Sequence, residues 1–83
     1  MENKLEKQFV NSDFYTTVFL IANGYRLIKI DKSSPRRFHF VLEDQTGRMK
    51  LLEDFFNYKT LVEPRKFIAS IKELKSLMYS DVL

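Results

Sequence analysis

Two short segments in which apolar and polar residues alternate constrain the fold of this chain most. They cover residues 25–32 and 37–43, and a period of two residues is typical of half-buried strands. The apolar residues in this alternation are Ile28, Ile30, Phe38, Phe40 and Leu42. The residues between the segments, Ser33-Ser34-Pro35-Arg36, predict a turn, because proline fixes one backbone angle and serine bonds locally. We therefore predict a β-hairpin at the centre of the sequence.

Helical patterns lie on both sides of the hairpin. The stretch 17–22 is short and β-branched and would also suit a strand, but Thr16 is a candidate N-cap and Asn23-Gly24 a candidate helix end. We therefore interpret it as a helix. A second helix is predicted from cap candidates at 44–46 to about Asn57. Its predicted inner stripe contains Met49, Leu52 and Phe56, with Phe55 beside it.

The last helix has the clearest helical pattern in the chain. Pro64 suits a first turn, where the missing N–H costs nothing, and the apolar repeat continues to about Tyr79. The apolar positions at three- and four-residue steps are Phe67, Ile68, Ile71, Leu74 and Met78. The predicted fold class is thus α+β, a single small domain with the order α-β-β-α-α. In it, a two-stranded antiparallel hairpin packs on helices, because such a hairpin is marginal alone.

The length of the chain limits its domain organisation. A sequence of 83 residues seldom holds two cores, so we predict one domain over residues 13–83 and a flexible N-terminal segment over residues 1–12. The charged start resembles no signal peptide, and the longest apolar run, 18–22, is far shorter than a membrane span. We expect a cytoplasmic protein with no membrane partner.

The available side chains argue against catalysis and against cofactors. The chain has no cysteine and one histidine, His39, so disulfides, thiolate metal sites and cysteine nucleophiles are excluded. A base formed by His39 and Glu43 would depend on serines of the mobile turn, without a glycine-rich nucleophile elbow. Glu53 and Asp54 are adjacent and diverge by about 100 degrees on a helix, so they do not converge on one ion. We predict no enzyme, no catalytic residues, no metal and no cofactor.

The hairpin is strongly basic. Between residues 26 and 37 there are five basic side chains and one acidic side chain, for a net charge of +4 against +3 for the whole chain. A second basic group lies at 59–75, and both groups on one surface would attract a polyanion. The candidate nucleic-acid-binding residues are Arg26, Lys29, Lys32, Arg36, Arg37, Arg65 and Lys72. Two other interpretations remain open: an ordinary solvated surface, and a docking site for an acidic protein.

Apolar residues on predicted outward faces indicate self-association. A domain of this size balances near zero stability, so burying surplus apolar surface in a homodimer would help it. The residues assigned outward are Leu27, Val41, Leu51, Leu61 and Leu77. Near the end of the second helix, 55–58 predicts an exposed aromatic patch. The candidate partner-interface residues are Phe55, Tyr58 and Leu61.

Several strings in this order resemble a known family. They are Phe14-Tyr15-Thr16-Thr17, the apolar stretch ending at Gly24, Phe40-Val41-Leu42-Glu43-Asp44, Glu53-Asp54-Phe55-Phe56-Asn57-Tyr58-Lys59 and Leu74-Lys75-Ser76-Leu77-Met78-Tyr79-Ser80. Together they resemble a family of short prokaryotic and phage-associated proteins classed as a domain of unknown function, over residues 13–80. The resemblance implies a compact domain, sometimes carried on mobile elements, and it assigns no functional residues.

Two functional hypotheses follow from the sequence. The first is a small non-enzymatic binding protein that contacts DNA or RNA through the basic hairpin, with Arg26, Lys29, Arg36 and Arg37 on phosphates. The second is a protein-interaction module or adaptor, of mobile-element origin, that docks on a larger protein through the aromatic patch. Charge separates the two hypotheses, because only the first depends on the arginines.

Overall fold

A computed structural model describes residues 7–80, which form three helices and a three-stranded antiparallel sheet. The elements in chain order are β1 (Gln8–Asn11), α1 (Phe14–Ala22), β2 (Leu27–Asp31), β3 (His39–Glu43), α2 (Arg48–Phe56) and α3 (Pro64–Met78). The predicted α+β class and the order α-β-β-α-α from α1 onward are confirmed. Residues 1–6 and 81–83, which were assigned to the N-terminal segment and the domain end, lie outside the described residues.

The sheet has one strand more than predicted. The strand order is β1-β3-β2, and β1 pairs antiparallel with β3 in a register that places Phe9 opposite Leu42. The prediction of a flexible segment is therefore wrong for 8–11, and the folded domain begins before residue 13. The sequence did not predict this strand because it has only four residues, in which apolar and polar side chains alternate weakly. The guanidinium of Arg48, in helix α2, covers the Phe9 ring at 3.8 Å. This contact with a helix holds β1 in addition to its pairing with β3.

The turn between β2 and β3 forms as predicted. The Arg37 N–H donates to the Ser34 carbonyl at 3.3 Å, which closes a four-residue turn with Pro35 at its second position. At the entrance, the Asp31 carboxylate accepts a hydrogen bond from the Ser33 N–H at 3.0 Å. Hydrogen bonds from the Ser33 side chain and from this N–H lower the pKa of Asp31, and they align the chain for the reversal. Arg36 is left at the tip of the turn.

Helix α1 begins earlier than predicted and ends where predicted. Its N-cap is Asp13, whose carboxylate accepts from both the Thr16 N–H and the Thr16 hydroxyl, so the expectation of Thr16 as the cap is wrong. At the other end, Gly24 has a φ of +91° and donates its N–H to Ile21. The next N–H, of Tyr25, reaches back to Leu20 at 3.0 Å, which completes a Schellman motif.

Helix α2 presents a different face to the core from the one predicted. Its N-cap is Gly47, with a φ of +92° and no side-chain cap, instead of a residue at 44–46. Leu52 is buried as expected, but Phe55 stacks on Phe19 with ring centroids 4.2 Å apart. Met49 and Phe56 are exposed. The positions of α2 that reach the core or β1 are therefore 48, 51, 52 and 55.

Helix α3 matches its prediction most closely. Pro64 occupies the first turn, and the Glu63 side chain caps the helix by accepting from the Lys66 N–H at 2.9 Å. Leu74 is fully buried, but Ile68 is 52 % exposed, so its assignment to the apolar stripe is wrong. Helix α3 packs chiefly on α1, so these two helices and the sheet enclose the core.

Four of the five residues assigned outward are buried or packed on the core. Leu27, Leu51 and Leu77 pack against the core cluster, and only Leu61 is exposed. Val41 lies on the sheet face opposite Phe40 and is still only 5 % exposed, since β3 is the central strand and Val41 is paired on both sides. The predicted homodimer therefore loses most of the residues on which it was based, and it stays a prediction.

We expect truncation of Leu74 to destabilise the fold much more than truncation of Ile68 on the same helix. Leu74→Ala leaves a cavity in the buried cluster and should lower the free energy of unfolding by about 2–5 kcal/mol. Ile68→Ala removes an exposed side chain and improves helix propensity, so its effect should stay within about 0.5 kcal/mol. Urea denaturation of both variants measures the difference. Equal losses would contradict this description of the core.

An ion pair between Asp44 and Arg48 joins the end of β3 to the start of α2. The Arg48 Nε donates to the Asp44 carboxylate at 3.1 Å, and both side chains are largely covered. This hydrogen bond, with a second one from the Gln45 N–H, lowers the pKa of Asp44 below its ordinary value of 3.8. The same guanidinium also covers Phe9, so the pair connects α2 to β1.

The lowered pKa predicts how Asp44→Asn changes the pH dependence of stability. The stabilisation from the Asp44 carboxylate is complete above its unfolded pKa and is lost as the pH falls through the folded pKa. Wild type should therefore be more stable than Asp44→Asn by a constant amount from pH 7 to 5. The difference should shrink below about pH 4. Thermal unfolding across this range measures it, and a difference unchanged down to pH 2 would contradict the ion pair.

Candidate nucleic-acid interface

A surface pocket of about 360 Å³ lies where the β2–β3 turn meets the C-terminal end of α3. We call it the turn pocket. It is lined by Ser12, Phe14, Pro35, Arg36, Arg37, Phe38, Phe40, Met78 and Tyr79. Ligand pockets commonly hold about 300–1,000 Å³, so this one has room for a small group. Its aromatic lining beside two arginines suits a planar group that carries a negative charge.

Lys32 holds the two sides of the turn pocket together. Its ammonium donates to the Ser80 carbonyl at 2.6 Å and to the Leu77 carbonyl at 3.4 Å. A cation is favourable there, because the last carbonyls of a helix have no partner within the helix. The same ammonium lies 5.8 Å from the centre of the Phe38 ring. Lys32, a predicted nucleic-acid-binding residue, is thus already engaged in joining the end of β2 to the end of α3.

The two turn arginines are exposed at the edge of the pocket. Arg37 donates from Nη1 to the Ser12 hydroxyl at 3.2 Å, which directs its guanidinium along the pocket wall. Arg36 lies at the tip of the turn. Within residues 7–80, neither guanidinium forms an ion pair with a carboxylate. Both side chains are also exposed to solvent.

The other hairpin cations lie elsewhere. Arg26 precedes β2, at the end of the hairpin opposite the turn, and its Nε lies 3.5 Å from the Glu43 carboxylate. Lys29 pairs with Val41 and points to the sheet face opposite Phe40. The cations of the hairpin therefore do not gather on one side of the sheet. The structure brings Arg36 and Arg37 together and separates them from Arg26, Lys29 and Lys32.

The second basic group forms a stripe on α3 that ends at the turn pocket. Positions 65, 72, 75 and 79 fall on one face of the helix by its 3.6-residue period, and all four residues are exposed. We call Arg65, Lys72 and Lys75 the α3 stripe. Lys75 is one turn before Tyr79, which lines the pocket, and Arg65 is about 21 Å away along the axis. The α3 stripe thus connects the second basic group to the turn arginines.

The predicted aromatic patch divides between the core and the surface. Phe55 belongs to the core, and its neighbour Phe56 is exposed in its place. Tyr58 and Leu61 are 96 % and 98 % exposed, as predicted. Tyr58 has a φ of +60°, the left-handed value that glycine usually supplies after a helix. Its N–H and that of Lys59 complete the Schellman motif of α2.

Sequence reasoning missed Ser12, Phe14 and Met78 as pocket residues. Ser12 follows a strand that was not predicted, and Met78 was assigned to the core stripe of α3. Only long-range pairing brings them beside Arg36 and Arg37, so no local signal identifies them. Tyr79 alone carried a signal in the sequence, because it lies near the end of an element and has a polar tip, which favours exposure.

The part of the chain that the structure describes holds neither a cluster of metal ligands nor a membrane span. Among residues 7–80, no three histidine, cysteine, aspartate or glutamate side chains cluster in a way that would hold a metal ion. Within the same residues, no helix is both long and apolar enough to cross a bilayer.

Comparison with known proteins identifies a family. Residues 6–80 match the family described as Domain of unknown function (DUF5659). The chain belongs to this family. The match covers the sheet and all three helices, including β1, and it begins before residue 13, where the resemblance in the sequence began. No curated protein and no solved structure matches the chain significantly. A prokaryotic, phage-associated or mobile-element origin stays a prediction.

Proposed function

We propose that this DUF5659 protein is a small non-enzymatic binding protein that contacts nucleic acid through the β2–β3 turn. The observation that carries the proposal is the pair Arg36 and Arg37, exposed side by side without a carboxylate partner among the described residues. Guanidinium groups form paired hydrogen bonds with phosphate oxygens, and they do so most readily when no internal acid competes.

The surroundings of the turn support the same proposal. The α3 stripe extends the positive charge away from the pocket, and Arg37 is oriented by Ser12. The phosphate contacts are therefore assigned to Arg36, Arg37, Lys72 and Lys75. Arg26 and Lys32 have partners within the protein, and Lys29 lies on another face, so they are left out of this narrower interface.

We expect Arg36→Ala/Arg37→Ala to weaken binding to every nucleic acid tested. A plot of log affinity against log salt should become shallower by about 0.9 unit per lost contact on duplex DNA, and by about 0.7 unit on single strands. Fluorescence anisotropy between 50 and 200 mM salt measures both effects. The charge-matched control is Lys59→Ala/Lys66→Ala, outside the proposed interface, which should preserve the slope. Absence of binding by wild type at 50 mM salt would refute the proposal.

A second candidate function is protein–protein interaction through the α2–α3 loop, with a larger partner or a second copy of the chain. The observation that favours it is Tyr58, which is nearly fully exposed although it occupies a left-handed position. A non-glycine residue in this conformation costs about 1–2 kcal/mol, so Tyr58 lowers the folding stability while its ring is exposed to solvent. Leu61 and Phe56, also exposed, extend the apolar surface.

Tyr58→Gly distinguishes the effect of Tyr58 on stability from its effect on binding. We expect the variant to be more stable than wild type by about 1 kcal/mol, because glycine relieves the backbone strain. If the loop is the dimer interface, light scattering should show a dimer for wild type and a monomer for Tyr58→Gly. Tyr15→Ala, at another exposed tyrosine, should leave the mass unchanged. A wild-type monomer, or a dimer that survives both changes, would refute the homodimer at this loop.

A further inference from the structure

The turn pocket adds a binding mode that exposed arginines alone would not provide. It combines an aromatic and apolar lining, from Phe14, Phe38 and Met78, with charged groups at its edge. Phosphate contacts on a duplex need only the cations, because the bases of a duplex are stacked inside it. An apolar pocket beside phosphate-binding arginines instead matches a nucleic acid whose base is free to leave the strand.

We propose that the turn pocket receives one unpaired base of a single-stranded nucleic acid, with the adjoining phosphates on Arg36 and Arg37. This inference rests on the proposed function and specifies its ligand. Tyr79 is the residue that stacks on the base, since it lines the pocket and its ring is 82 % exposed. Aromatic side chains that bind single strands work in this way, because every base offers a flat face.

The α3 stripe gives the rest of the strand a path. Lys75 and Lys72 lie one and two turns before Tyr79 on the same exposed face, at about 6 Å and 10 Å along the helix axis. Consecutive phosphates of an extended strand leaving the pocket can therefore meet these two ammonium groups in order. Arg65 lies about 21 Å from Tyr79 and would contact only a longer strand.

The pocket is held open by interactions that do not involve the proposed ligand. Lys32 fixes the end of α3 to β2, and Arg37 is held by Ser12. The base would therefore enter a site whose walls are already in place, which limits the entropy lost on binding. Removing the ring of Tyr79 should then alter binding without altering the fold, because that ring is exposed.

The test compares a single-stranded oligonucleotide with the duplex of the same sequence, by fluorescence anisotropy at 100 mM salt. We expect wild type to prefer the single strand, and Tyr79→Ala to weaken single-strand binding by about 5- to 150-fold. The salt slope should not change, because no charge is removed. Tyr79→Phe should keep the affinity. The control is Met49→Ala, at an exposed large side chain outside both the pocket and the α2–α3 loop, which should bind like wild type.

Each alternative outcome has a distinct meaning. Equal binding of duplex and single strand, with no effect of Tyr79→Ala but a shallower slope in Arg36→Ala/Arg37→Ala, overturns the base pocket and leaves the proposed function standing. A lack of binding to either nucleic acid at 50 mM salt overturns both. Displacement of the single strand by a poly-glutamate chain of the same charge, at equal concentration, shows that charge alone is recognised and overturns the pocket.

Discussion

The central position of β3 is the constraint on which the rest of this structure depends. Phe40, Val41 and Leu42 are buried in succession, on both faces of the sheet, because strands pair along both edges of β3. A two-stranded hairpin is marginally stable in water, and the third strand relieves that weakness. Phe9 of β1 extends the inner face beside Leu42, where the Arg48 guanidinium covers its ring. The helices then cover a sheet that has three strands to stabilise it.

The same strand order decides where the functional groups lie. The β2–β3 turn leaves the sheet beside the end of α3, and Lys32 bonds there to carbonyls of Leu77 and Ser80. One cation of the basic hairpin is thereby used for structure, and two others, Arg36 and Arg37, are placed at the edge of a pocket. Fold and candidate site are thus coupled, since Lys32 joins the hairpin to the end of α3, where Met78 and Tyr79 line the pocket.

Local patterns predicted the elements well and predicted their contacts poorly. The hairpin, its proline turn, the Asn23-Gly24 helix end and α3 could be inferred from residue period and turn chemistry alone. The start of α1 was missed because Asp13 and Thr16 are both acceptable caps, and only the geometry shows which carboxylate accepts the bond. The strand β1 was missed because its four residues are stabilised by pairing with β3, thirty residues further along the chain.

The candidate site illustrates the same limit. Arg36 and Arg37 were identifiable from charge, because five basic residues cluster within a short segment. Their separation from Arg26 could not be inferred from the sequence, since the ion pair between Arg26 and Glu43 depends on the strand register. The stacking of Phe55 on Phe19 likewise depends on how α2 is rotated against the core, and the sequence pattern alone does not fix that rotation between Phe55 and Phe56.

Helix α3 keeps the two candidate surfaces apart. It begins beside the loop that exposes Tyr58 and Leu61, and its other end borders the turn pocket, 15 residues later. That length corresponds to about 22 Å, more than two Debye lengths at physiological salt, so charges at one end scarcely influence the other. A ligand at the turn pocket and a protein at the loop would therefore not compete for the same residues. Because the α3 stripe leads away from the pocket toward that loop, a strand long enough to reach Arg65 would approach the loop, and only then would the two proposed binding sites become linked.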